Sequence, residues 1–399
     1  MKKNKHILVI SQYFYPEQFR INDICTEWVK RGYKVTVLTG IPNYPQGRYY
    51  EGYGLNKKRK ETWNGVDIIR IPLIPRGQTP IGLVLNYFSF PISGWVWNLC
   101  NKIKADYVFM FEISPMTQCK IGVWYAKKHK IPLYLYVQDL WPENVEIITG
   151  IHNRCIIAPI QHMVDKIYKA CEDIFVTSPS FAEAICKRGI KQDKVHYWPQ
   201  YAEEFYYPRD KEKVTQISTE NKFKIIFTGN IGYAQGLDIL PKTAKILKEK
   251  NIKDVQFVIV GEGRYCEQLK KEIEDIKEMF IMIPKQPAQK IPELLTACDV
   301  AFLSFQDMAL WKMTIPAKLQ SYMACGMPII ASAEGETEKV ITEAKCGIST
   351  PLGDSVKLAD AIISIKNTDL SILRENSRKY FLSHFEKKHL MDEIELYFN

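Results

Sequence analysis

No two of the ten cysteines stand in a C-x-x-C pair, and their scatter forms no regular framework. That excludes a disulfide scaffold and suits a reducing cytosol. The seven histidines form no H-E-x-x-H and no cluster with cysteine, which argues against a structural zinc site. There is no D-x-D, the simplest carboxylate clamp for a metal–diphosphate complex, so neither a metal nor another cofactor is expected. No G-x-G-x-x-G followed by an acidic residue comes after the first strand, which disfavours a dinucleotide oxidoreductase. Internal repeats of short period and low-complexity tracts are also missing. The start, MKKNKHILVISQYF, lacks a small-residue cleavage site and runs straight into polar residues, so it reads as strand one. The nearest approach to a membrane span is Leu83–Leu99, LVLNYFSFPISGWVWNL, interrupted by Asn86, Pro91 and Asn98. It reads either as buried helix, paired or broken at the proline, or as a hydrophobic flank of a lipid-acceptor groove.

What is present is enough for two cores. At 399 residues, 46% of them apolar and 12% aromatic, the chain exceeds one ordinary domain and is not disordered. Charge is uneven. Residues 1–200 carry 27 Lys+Arg against 16 Asp+Glu, net +11, and residues 201–399 carry 27 against 29, net −2. The two halves therefore face different partners. Basic runs such as Lys57-Lys58-Arg59-Lys60 suit a solvated loop or an anionic membrane surface. No nucleic-acid-binding motif accompanies them, so nucleic acid is not an expected partner.

Apolar runs alternate with helical patterns throughout. The first series is His6–Ile10, Lys34–Thr39, Val66–Ile71, Tyr107–Phe111, Leu133–Val137, Ile174–Ser178 and Val195–Trp198. An amphipathic helix over Asp23–Arg31, closed by Gly32, links the first two. A polar connector from about Pro199 to Lys222 follows. The alternation then restarts with Lys224–Thr228, Gln256–Val260, Phe280–Ile283, Val300–Ser304, Pro328–Ala331 and Gly347–Thr350. Continuous apolar strands between helices predict parallel sheets covered on both faces. The expected organisation is a Rossmann-like domain at 1–200, a second at 201–375, and a C-terminal helix at 376–399 packing back towards the first. Facing domains of this kind present strand carboxyl ends to a common cleft, where ligands of open α/β sheets bind.

The richest stretch is Lys312–Ala331, KMTIPAKLQSYMACGMPIIA. Pro316 suits the first turn of a helix and Gly326 the left-handed residue beyond its end. Such a helix offers free N–H groups to an anion, with Lys318 in its first turn and Gln320 and Ser321 following. The arrangement suits the diphosphate of a nucleotide sugar. The loop Thr228–Leu237 (TGNIGYAQGL) lies between strand and helix, and Gly229 and Gly232, flanking Asn230, let backbone amides approach a phosphate. Gly261-Glu262-Gly263 is a second tight turn, with Arg264 as ligand or exposed charge. Lys285 ends a further strand at the same edge, as ligand or surface. In the first half, Gln138–Glu143 (QDLWPE) follows an apolar strand. Asp139 and Glu143 are placed to orient or deprotonate an acceptor hydroxyl, or Asp139 caps the turn. Arg20, in the first strand-end loop, suits an anionic substrate or a lipid pyrophosphate. Asn43 and Tyr44 lie in the rigid strand-end loop Pro42–Pro45 at the cleft, and with Arg20 they are the candidate acceptor contacts.

Taken together, SQYFYPEQFRIND, TGIPNYPQGRYYEGYG, QDLWPE, TGNIGYAQGLD, VGEG and PAKLQSYMACGMPIIAS resemble family 4 glycosyltransferases of the GT-B fold. They are most similar to the bacterial O-antigen, capsule and colanic-acid group that includes N-acetyl-L-fucosamine transferases. The resemblance spans nearly the whole chain. It implies retaining, metal-independent transfer from a nucleoside-diphosphate sugar, most often UDP-linked, to a sugar acceptor on a polyprenyl diphosphate. It also implies donor binding by the C-terminal domain and acceptor binding by the N-terminal one, at the cytoplasmic face of the membrane. Two departures stand out. The E-x7-E pair of many members falls here on Met313 and Ser321, and Asn230 and Gln235 occupy the loop where many carry Arg and Lys. The diphosphate charge then falls to Lys318, Arg264 and helix N-termini, and Glu336 is a candidate for the lost sugar or ribose contact. Two rival functions remain at this point: a UDP-sugar epimerase of the same architecture, and a non-catalytic nucleotide-sugar-binding partner.

Overall fold

Fully apolar strands cannot leave either face in water, and they assemble here into two sheets, each covered by helices. The computed structural model describes residues 5–77, 79–210, 214–217 and 221–398. The basic start before Lys5 and parts of the connector, 211–213 and 218–220, lie outside the described residues. The chain forms two units. One runs to Thr177 and adds Phe181–Tyr197 and the chain's end from Tyr397; the other holds Ser178–Ser180 and Trp198–Leu396.

The first unit is built on β1 (His6–Ile10), β2 (Lys34–Gly40), β3 (Lys60–Trp63), β4 (Val66–Ile71), β5 (Tyr107–Glu112), β6 (Leu133–Val137), β7 (Asp173–Val176) and β8 (Val195–Tyr197). Their spatial order is β3-β4-β2-β1-β5-β6-β7-β8, parallel except for the pairing of β3 with β4. The helix after β1 begins at Arg20 and ends at Lys30, and it buries Ile21, Ile24, Cys25 and Trp28, one face of a 3.6-residue period. β3 has no apolar run to announce it. It is held as an edge strand by the buried Arg70, whose Nη2 donates to Glu61 at 2.5 Å and to the Tyr15 carbonyl at 2.7 Å. The final residues close the bottom of this unit: Phe398 stacks on Tyr107 with ring centroids 5.4 Å apart and lies against Trp28.

The helix Pro80–Cys100 departs from the reading of its sequence as buried. It is a single helix, uninterrupted at Pro91. The ring removes the N–H that would bond the Tyr87 carbonyl, and the Thr117 hydroxyl donates to that oxygen instead, at 2.6 Å. Its two asparagines point inward. Asn86 is fully buried and accepts from Gln12 at 2.8 Å while donating to the Ile74 carbonyl at 2.7 Å, and Asn98 is 6% exposed. Ile81, Leu85, Phe88, Ile92, Trp95 and Leu99, spaced three or four residues apart, are exposed. At about 1.5 Å per residue the helix is about 30 Å long. Among the described residues no helix is both long and apolar enough to cross a membrane.

The second unit is built on β9 (Phe223–Thr228), β10 (Val255–Val260), β11 (Phe280–Ile283), β12 (Val300–Ser304), β13 (Ile329–Ser332) and β14 (Gly347–Thr350), ordered β11-β10-β9-β12-β13-β14 and all parallel. The strand order reverses beside β9. In open sheets of this kind that is where a crevice forms at the carboxyl ends. Helices over Ile239–Glu249 and Ser355–Lys366 bury Leu240, Leu247, Leu358 and Ile362 against the sheet.

Candidate active site

In the second unit the turn after β9 meets the turn after β10 backbone to backbone. Gly229 has φ +136° and Gly261 φ +152°, and a Cβ on Gly261 would run into the Gly229 carbonyl oxygen. Only glycine permits that approach. The Asn230 side chain lies over Gly232 and Gly263: Cβ atoms built there would sit 2.7 Å from its Nδ2 and 2.8 Å from its Oδ1. Gly229 and Asn230 lie exposed at this turn, while the Gly229 and Ile231 N–H groups donate to the Val260 and Glu262 carbonyls.

Lys318 reaches this loop from the helix Ala317–Ala324. A Cβ on Gly229 would lie 3.4 Å from its Cδ and 3.6 Å from its Nζ. The ammonium stands 4.1 Å from the centre of the Phe227 ring and donates to the Gln235 side-chain carbonyl. Tyr322, one turn later on the same face, accepts the Thr228 N–H at 2.8 Å and locks the helix to the end of β9. Among the described residues no carboxylate pairs with Lys318. Burial pushes its pKa down to about 7. A cation held without a counter-ion beside a tight glycine turn and a helix start is a ready site for an anion.

The neighbouring candidates differ in their commitments. Arg264 and Lys285 are exposed on the strand-end rim, without partners among the described residues. Ser321 bonds back to the Ala317 carbonyl at 3.1 Å. Gln320 is fully buried with neither amide atom satisfied. Glu336, 3% exposed, accepts from the Ser180 amide at 3.0 Å and from its hydroxyl, so it is already engaged inside this unit.

In the first unit Asp139 follows β6. Its Oδ2 accepts from both the amide and the hydroxyl of Ser114 at 2.8 Å. The Ser114 hydroxyl in turn accepts from Trp141 Nε1 at 3.1 Å and Asn144 Nδ2 at 2.8 Å, so its donor and both lone pairs are used. Glu112, at the end of β5, lies alongside: its Oε2 accepts the Asp139 N–H at 3.3 Å, and its Oε1 has no partner. Burial and then the charge of Asp139 push the Glu112 pKa well above the carboxylate range. Burial also raises Asp139, against the two Ser114 hydrogen bonds, which lower it. Glu143 is not free in the same way. Nη2 of Arg188 donates to both its oxygens, at 2.7 and 2.8 Å, and Nη1 holds the Trp141 carbonyl at 2.7 Å.

The loop Pro42–Pro45 is organised by Glu17, which sequence reasoning missed. Glu17 is 2% exposed and accepts from the amides of Asn43 at 2.8 Å and Tyr44 at 2.6 Å. Burial raises its pKa to about 7 despite those donors. Asn43 is itself buried and committed, its amide bonding Ile41 and Arg76. Tyr44 is 36% exposed, its ring against Tyr13 and Phe19, with the Arg76 guanidinium 5.6 Å from its centre. Arg20 opens the first helix, half-buried, its charge close to the Tyr136 hydroxyl. Glu112 had a signal, an acid ending a fully apolar strand; Glu17 and Arg188 had none.

Residues 19–200 match Glycosyltransferase Family 4, and residues 208–381 match Glycosyl transferases group 1. The chain is 26% identical over 249 residues to the probable glycosyltransferase WbjE of Pseudomonas aeruginosa, covering 60% of this chain and 61% of that protein. It is 24% identical over 352 residues to the putative colanic acid biosynthesis glycosyl transferase WcaI of Escherichia coli, covering 83% and 84%. Among solved structures, sucrose-phosphate synthase from Thermosynechococcus elongatus superimposes with a TM-score of 0.75 at 16% identity, covering 98% of each chain. Anabaena HepE in complex with UDP and glucose gives 0.67 at 14%, again covering 98% of each. The chain belongs to the glycosyltransferases, with a family 4 domain followed by a group 1 domain on the GT-B fold.

Proposed function

We propose that this protein is a retaining glycosyltransferase that moves a sugar, an N-acetylated amino or deoxy sugar, from a UDP-sugar to a lipid-linked sugar acceptor in bacterial surface polysaccharide synthesis. The observation that carries this reading is Lys318, a mostly buried ammonium without a carboxylate beside the Gly229 turn. In this reading residues 201–375 hold the donor and residues 1–200 the acceptor. Lys318 and nearby amides meet the diphosphate and stabilise the UDP that departs, with Arg264 and Lys285 as exposed cations on the rim. Charge placed where a leaving group develops it is among the largest catalytic contributions. Asp139 takes the acceptor hydroxyl, since Ser114 occupies only its Oδ2 and Arg188 already claims Glu143. The name of WcaI supports the polysaccharide role, and the UDP bound to HepE supports the nucleotide. The outward apolar face of the helix Pro80–Cys100, in the half of the chain with the net positive charge, supports a peripheral place on the anionic inner face of the cell membrane.

Thermal unfolding against UDP, GDP, dTDP and ADP tests the donor. A ligand at 100 times its Kd adds about 2.7 kcal/mol of stability. Stabilisation by UDP, lost in Lys318→Ala, is expected. No response to any nucleotide would remove the nucleotide-sugar reading.

A further inference from the structure

An apolar groove of about 480 Å³ opens in the first unit beside the Asp139 network. Its walls are Leu83, Val84 and Phe88 from the helix Pro80–Cys100, Trp141, and Ile156 and Ile160 from the helix Arg154–Ala170. Ser114, which donates to Asp139, and Asn144, which donates to Ser114, lie at its polar end. Val84 and Phe88 belong at once to the groove and to the exposed apolar face, so carbon-lined surface runs without a break from the Asp139 network to the outside. One cation enters the lining, Lys120, which has no partner among the described residues. It is shared with an adjoining depression of about 340 Å³ that also takes in His162 and Lys166. Among the described residues no acidic side chain lines either space.

We propose that this groove holds the isoprenoid chain of a prenyl-phosphate-linked acceptor, with Lys120 contacting the phosphate next to the chain. The proposal rests on the lipid-linked acceptor of the proposed function. The chemistry fixes the order of the parts. The sugar hydroxyl lies at Asp139, the phosphates at Lys120 with Lys166 and His162 near, and the chain passes over Val84 and Phe88 and out along the exposed face. A soluble sugar acceptor would leave the carbon lining wet. A neutral lipid would leave Lys120 and Lys166 without a counter-charge.

The test is calorimetric binding of geranylgeranyl diphosphate, with geranylgeraniol as the probe lacking phosphate, to the full chain, to Lys120→Glu and to Val84→Asp/Ile160→Asp. Wild type is expected to bind the diphosphate, and both variants at least tenfold more weakly. The alcohol should bind the wild type more weakly than the diphosphate, and the two proteins with an intact groove alike. UDP should stabilise all three proteins equally, which shows that they are folded. Absence of binding to wild type, or equal binding by all three, overturns the proposal. So does a wild-type dimer that the groove variant dissolves, since the face would then belong to a second copy. If the prenyl probe behaves as expected while UDP stabilises nothing, the groove stands and the donor reading fails. If UDP binds and sugar is transferred only to soluble acceptors, the groove fails and the transferase stands.

Discussion

The backbone N–H of Asp139 donates to Oε2 of Glu112 across 3.3 Å, which sets two buried carboxyl groups side by side at the ends of neighbouring strands. Among the described residues neither makes an ion pair. Two such acids titrate as a unit, and the first proton rests where the charge is least supported. Ser114 supports the charge on Asp139, while Glu112 Oε1 has nothing. Of the pair, Glu112 is therefore the acid that holds a proton more readily and Asp139 the one that carries charge more readily. Glu112→Gln imitates the protonated acid and should transfer sugar at close to the wild-type rate, with its acid limb unmoved. Asp139→Asn keeps the Ser114 hydrogen bonds but should lose about 10²–10⁴ in kcat. Equal losses in the two variants would show that Glu112 carries the charge.

Much of this was legible in the chain and some was not, for reasons that particular residues show. Thirteen of the strands were announced by apolar runs; KETW, β3, was not, because an edge strand beside solvent has no need of them. Lys318 was legible because a proline, a lysine and a glycine fall at helix-specific places. Its partner Gln235 was noticed only as the lack of a basic residue, yet it accepts the ammonium's hydrogen bond. In Pro80–Cys100 the composition fixed a helix but not its orientation. Asparagines normally mark the solvent face, and here Gln12 and Ile74 draw Asn86 inward. The sequence offers Glu143 and Glu336 as available acids; Arg188 and Ser180, distant in sequence, hold them.

Lys318 makes donor binding pH-dependent. Its pKa is about 7 in the folded protein against 10.5 for an exposed lysine, and a diphosphate favours the charged form. UDP affinity should fall as pH rises above 7, by up to about tenfold per unit. Stability without ligand moves the other way. Between pH 7 and 10.5 the unfolded chain holds a proton that the folded chain has released, so stability rises with pH in that window. Lys318→Met should bind UDP weakly at every pH and melt higher than wild type at pH 6. A wild-type UDP affinity that stays flat from about pH 6 to 9 would contradict the assignment.

Glu17 predicts a stability slope of opposite sign at lower pH. Its pKa rises from 4.5 to about 7 on folding, so across that window the folded chain keeps a proton that the unfolded chain loses. Stability then falls as pH increases and levels off above the folded pKa. In Glu17→Gln the side-chain carbonyl still accepts from Asn43 and Tyr44, and the slope should disappear from melting curves taken across the window. Glu17→Ala leaves two amides unpaired, at about 1–3 kcal/mol each, and should raise the acceptor KM by loosening Tyr44. A Gln variant that melts in parallel with wild type at every pH would remove Glu17 as the source.

The outward face of Pro80–Cys100 carries the last prediction. Ile92 and Trp95 are 62% and 51% exposed and outside the groove, so Ile92→Glu and Trp95→Glu should change stability by no more than about 0.5 kcal/mol. Both should abolish cosedimentation with anionic vesicles, because each places a charge where apolar surface would enter the headgroup region. Lys102 and Lys104 follow directly in sequence. Basic residues near an anionic leaflet contribute about 1 kcal/mol each, and salt weakens that contribution over a screening length of about 10 Å at 0.1 M. Wild-type vesicle binding should therefore require anionic lipid and weaken, without vanishing, as salt is raised: the apolar part is indifferent to screening and the basic part is not. Binding that disappears entirely with salt would assign the attachment to charge alone and leave the apolar face for another occupant. Vesicle binding unchanged in both glutamate variants would place the membrane contact elsewhere on the first unit.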